Sequence, residues 1–165
     1  MTTVTRNTND NTIIRFPRAS DAGPMVTAHT APSQRRARRN AAAGHRNLER
    51  MLRRMACLAP EAPLSLLLVR FDDAPKRDEV KAAATMVSET LRPTDFVCIP
   101  GESHIGVVLQ GTGSGRAGRL AWQLERKVAQ SGYGDVRVAA ATGTGANGLA
   151  LIEAAGAGFE DAANS

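Results

Sequence analysis

From residue 45 onward the spacing of apolar positions changes repeatedly between two periods. Leu48, Met51, Leu52 and Met55 fall at i, i+3, i+4 and i+7, one stripe of a helix. Gln34 to Ala43 favours helix by propensity, with Ser33 after Pro32 as a possible N-cap and Gly44 a local weak point. Ala59-Pro60-Glu61-Ala62-Pro63 ends that helix. Leu64-Ser65-Leu66-Leu67-Leu68-Val69 is a short apolar run before Asp72, the pattern of a strand buried on both faces. Val80, Ala83, Ala84, Val87 and Leu91 return to the helical period and stop at Arg92-Pro93. Phe96–Ile99 and Ile105–Leu109 flank the turn Pro100-Gly101-Glu102-Ser103 as a hairpin. After the loop Gly111–Gly115, the residues Ala117, Leu120, Ala121, Leu124 and Val128 mark another helix. Val136–Ala140 reads as a strand and Leu149–Ala163 as a last helix. The expected fold is α/β of the α+β kind: one domain over residues 45–162 with a mostly antiparallel central sheet covered by helices. Residues 1–32, rich in Thr, Asn, Ala and Pro and without apolar period, are expected to form a disordered arm, the whole lead-in running over 1–44.

Composition adds limits to this picture. Apolar residues make up 42% of the chain and aromatics only 4%, so the core should be aliphatic. No run approaches the roughly 18 apolar residues of a membrane span, and no secretory leader is visible. Cys57 and Cys98 lack metal-ligand spacing and read as small buried hydrophobes of a cytoplasmic protein. The formal charge of +5 is unevenly spread: residues 1–60 hold eleven arginines against three acids, whereas residues 61–165 hold ten basic residues against thirteen acids. The basic character therefore belongs to the N-terminal part. Arg35, Arg36, Arg38 and Arg39 form a cluster able to hold a polyanion or simply to stand solvated. No DNA-reading motif accompanies it, so sequence-specific recognition is not expected.

Four segments in order resemble the GGDEF (diguanylate cyclase) family over roughly residues 45–162. They are Pro63 to Asp72; Leu91-Arg92-Pro93-Thr94-Asp95-Phe96-Val97; Gly101-Glu102-Ser103-His104-Ile105 with Val107-Val108-Leu109; and Gly111-Thr112 with the helix after it. The resemblance implies a domain built for phosphoryl transfer between nucleotides, but the departures fall on its machinery. Arg70 and Ser103 stand where the family has metal-holding acids, and His104 where it has a catalytic Glu. Glu102 replaces a glycine at the phosphate turn, and the stretch from Asp72 to Arg92, 20 positions, lacks the guanine-reading segment. A cation at a metal position repels the metal that phosphoryl transfer requires. The expectation is a module with no catalytic residues, no metal and no cofactor.

Arg92-Pro93-Thr94-Asp95 survives, and its offset from Gly101 matches the family's Arg-x-x-Asp site for cyclic di-GMP. The family's second Arg is Ile99 here. Arg offers a fork of donors to phosphate or guanine, and Asp accepts from guanine N–H groups. The same four residues also suit a turn that leads into a strand, with Asp95 as its cap. Both uses stay open from the sequence. Helix 45–58 could pair with a protein partner or a second copy, or pack on its own sheet. Asp72-Asp73 reads as a solvated pair, and His104 as a loop histidine.

Overall fold

In a computed structural model of the chain, residues 3–6, 12–15 and 34–163 are described, with side chains described over 44–159. Four helices flank one antiparallel sheet. The elements are β1 (Thr3–Arg6), β2 (Thr12–Arg15), α1 (Gln34–Leu58), β3 (Pro63–Phe71), α2 (Arg77–Thr90), β4 (Phe96–Gly101), β5 (His104–Gln110), α3 (Ser114–Gln130), β6 (Val136–Thr144) and α4 (Ala150–Ala163).

The sheet order is β1-β2-β6-β3-β5-β4, every neighbouring pair antiparallel. Two split β–α–β units interleave in it. β3 and β4 run parallel with β5 between them, and β5 and β6 run parallel with β3 between them. Crossovers of one hand bring α2 and α3 to the same face. That leaves the opposite face for α1 and α4.

Strand alternation distributes the side chains between the two layers. Leu67, Val69 and Phe71 of β3, with Ile105, Val107 and Leu109 of β5, meet Val80, Ala83 and Val87 of α2 and Ala117, Ala121, Leu124 and Val128 of α3. Leu64, Leu66 and Leu68, one residue out of phase, meet Leu48, Leu52 and Met55 of α1 and Leu151, Ala155 and Phe159 of α4. A strand covered on both faces cannot alternate apolar with polar, which explains the unbroken run Leu66–Val69 in an antiparallel sheet.

Two features of the first 60 residues differ from the expectation. β1 and β2 form an antiparallel pair inside the segment expected to be disordered, and β2 continues the sheet at β6 (Ile13↔Ala141, Ile14↔Ala140). Both are four-residue runs rich in β-branched Thr, Val and Ile. Such runs gain order when a strand edge offers its free N–H and C=O groups. The remainder of the arm lies outside the described residues. Gly44 is not simply a weak point in α1. A Cβ there would stand 1.8 Å from the Ile99 carbonyl oxygen, so the residue lets α1 cross directly over β4.

No helix among the described residues is long and apolar enough to cross a membrane.

Candidate functional site

The Arg92–Asp95 segment is a tight turn between α2 and β4. Leu91 takes an extended conformation after the last turn of α2, and Pro93 prevents any continuation of the helix. The Asp95 N–H donates to the Arg92 carbonyl at 3.0 Å. In return, the Arg92 N–H donates to Asp95 Oδ2 at 3.1 Å. Gln110 Nε2 donates to the Thr94 carbonyl at 2.7 Å and ties the turn to the end of β5. One carboxylate oxygen of Asp95 is thus structural. The other, Oδ1, is buried and has no hydrogen-bond partner among the described residues.

Asp95 is one of the residues lining a surface cleft of about 320 Å³, with Thr90, Leu91, Arg92, Leu109, Thr112, Arg116, Arg119, Leu120 and Gln123. Three guanidinium groups and one carboxylate share the lining. Arg116, Arg119 and Gln123 lie three and seven positions apart on α3, hence on one face of that helix. Lys127 Nζ donates to Thr90 Oγ1 at 2.8 Å, fastening α3 to the end of α2. At the loop before α3, Ser65 Oγ donates to the Thr112 carbonyl at 2.7 Å. Of these residues the sequence singles out Arg92 and Asp95 but not Arg116, Arg119 or Gln123. Their spacing was visible, whereas the packing of α3 against the α2–β4 turn was not.

The positions that the resemblance assigns to metal and catalysis gather around the β3–β5 ends, and their contacts are of another kind. Arg70 is paired in register with His104. Its guanidinium lies 5.0 Å from the Phe159 ring centroid, a cation–π contact. His104 meets the same ring edge-on at 6.4 Å, and Ser103 Oγ stands 3.3 Å from His104 Nδ1. His104 is therefore the half-buried start of β5, not a loop residue. Burial first, and the Arg70 charge second, hold its pKa below the usual histidine value.

Asp72 is not a solvated acid. Its Oδ1 accepts from Arg137 Nε at 2.6 Å, with both side chains largely buried. The hydrophobic face of α3 brings Glu125 into the same neighbourhood, only 7% exposed. Burial, and then repulsion from Asp72, push the Glu125 carboxyl up to about 7, and Glu125 Oε2 has no hydrogen-bond partner among the described residues. Among the described residues no cluster of three His, Cys, Asp or Glu side chains could hold a metal ion.

The cysteines divide. Cys98 is half-buried beneath α1, its thiol pushed up to about 11 chiefly by burial, whereas Cys57 is exposed near the end of α1. The polyanion expectation for Arg35, Arg36, Arg38 and Arg39 falls on side chains outside the described residues, although their backbone belongs to α1. Helix 45–58 packs its apolar stripe on its own sheet, since Leu48 and Leu52 are at most 1% exposed. No protein-family model matches the chain, and no curated protein matches it.

Proposed function

We propose that this chain is a non-catalytic, GGDEF-like signalling module whose Arg92–Asp95 cleft receives cyclic di-GMP. The observation that carries the reading is a cleft lined by Arg92, Asp95, Arg116 and Arg119, with the buried Asp95 Oδ1 left without a hydrogen-bond partner among the described residues. Three arginines against one aspartate leave a lining of net charge +2, the complement of a ligand with two phosphodiesters. A carboxylate suits the N–H edge of a guanine, and the guanidinium groups suit phosphate oxygens. The volume, about 320 Å³, is at the small end for ligand sites, in keeping with a cleft that holds one base and its phosphate while the rest of the ring faces water.

Loss of cyclase activity belongs to the same proposal. It is supported by the Arg70 guanidinium beside His104, where a cyclase would need acids to neutralise a metal.

The test is isothermal titration of cyclic di-GMP into the purified chain, with Arg92→Ala and Arg119→Ala beside it. Binding should weaken at least about tenfold, or about 1.4 kcal/mol, in each variant. An absence of heat with the unmodified chain would reject the receptor reading. The Asp95 Oδ2 cap would then be the motif's whole role, and the module would be a ligand-free adaptor.

A further inference from the structure

We infer that the outward face of α1 is a docking surface for a nucleic-acid backbone, independent of the Arg92–Asp95 cleft. α1 contains eight arginines, no lysine and one acid, so this helix carries +7 while the rest of the chain sums to −2. In its described part Arg46, Arg50, Arg53 and Arg54 are all exposed. At 3.6 residues per turn they fall within an arc of about 100°, opposite the buried Leu48, Leu52 and Met55. None of the four has an ion-pair partner among the described residues; the one nearby acid, Glu49, faces His45 at 3.3 Å. Four arginines without an ion-pair partner among the described residues are thus set by the helix backbone over about 12 Å of its axis.

The packing decides between the two common anionic partners. A basic amphipathic helix binds a membrane by sinking its apolar face into the lipid. Here that face is occupied: Leu52 is fully buried against the sheet and Leu48 is 1% exposed. Among the described residues the arginine face is exposed, and its one exposed large apolar neighbour on the helix is Leu58, 65% exposed at the last residue of α1, a single side chain in place of an apolar stripe. Arginine forks pair bidentately with phosphate oxygens, and a duplex presents a phosphate every 3.4 Å along each strand. The contacts are to backbone alone, so the surface should not distinguish sequences.

The experiment is fluorescence anisotropy of two labelled 20-base-pair DNA duplexes of unrelated sequence, titrated with the intact chain at several salt concentrations. Four phosphate contacts give a slope of log K against log salt near about −3.6, and the arginines at 35–39 can only steepen it. A rise from 50 to 200 mM salt should then weaken binding about 150-fold or more, equally for both duplexes. Arg50→Ala/Arg54→Ala should flatten the slope by about 1.8, with an unchanged circular dichroism spectrum because neither side chain is packed. No binding at 50 mM salt, or a slope unmoved by the double variant, would overturn the inference. So would equal or tighter adsorption to vesicles containing phosphatidylserine, which would make the surface a membrane contact.

Discussion

Glu125 provides a sharp check on the packing of α3, because its protonation is coupled to folding. The side chain is 7% exposed, faces the charge of Asp72, and has a carboxyl pushed from 4.5 to about 7. The native state therefore holds this proton more tightly than the unfolded chain does. Between about pH 4.5 and pH 7 the folded protein binds more protons than the unfolded one, so stability falls as pH rises through that window and the loss is complete above it. A shift of this size corresponds to roughly 3 kcal/mol at 1.36 kcal/mol per unit. Glu125→Gln keeps the shape and removes the ionisation. It should be nearly neutral at pH 4.5 and stabilising by roughly 2–3 kcal/mol at pH 8.5. Urea unfolding of both proteins at pH 4.5, 5.5, 6.5, 7.5 and 8.5 gives the difference directly, and groups common to both, His104 included, cancel in it. A difference that is constant across pH would refute the reasoning, because it would mean that Glu125 reaches water in the folded state.

Three further outcomes follow from the same packing. Asp95→Asn retains an acceptor for the Arg92 N–H and should leave the melting temperature within about 2 °C, while titration shows binding of cyclic di-GMP lost; Asp95→Ala should also cost about 1 kcal/mol through the lost cap. Gly44→Ala would raise the helicity of an isolated α1 peptide, yet in the protein it should destabilise by about 2 kcal/mol or more in urea unfolding, since the added Cβ meets the Ile99 carbonyl, a backbone group that cannot rotate away. By NMR, the His104 ring should titrate below the ordinary histidine value, and Arg70→Ala should move it upward, because burial and the Arg70 charge both disfavour the imidazolium.

The elements were legible because each has a distinct period. The stripe Leu48-Met51-Leu52-Met55 and the run Leu64–Val69 can be satisfied only by a helix with one buried face and a strand with two. The turn chemistry of Pro93 and Asp95 was equally local and equally readable. β1 and β2 were not, since four residues of β-branched sequence carry little information until β6 presents an edge, with Ile13 facing Ala141, 128 positions away. The same limit of range applies to the cleft. Arg116 and Arg119 are ordinary exposed helix residues on α3 alone, and they acquire meaning when the interleaved crossovers set α3 beside the turn that ends α2. Asp72 shows the limit of polarity without packing: an acid after a strand suggests solvent, but the β3–β6 pairing brings Arg137 to Asp72, and the core face of α3 brings Glu125 into the same neighbourhood.

The two ends of the sheet are consequently separable. At the His104 end, Arg70 and His104 share the Phe159 ring, through a cation–π contact and an edge-on ring contact. At the Asp95 end, a carboxylate oxygen is buried without a partner among the described residues, and three arginines line the same cleft, an arrangement that packing alone does not favour. A buried acceptor left unpaired lowers stability unless something satisfies it, so the cleft lined by Asp95 is the place to titrate a ligand before looking elsewhere on the sheet.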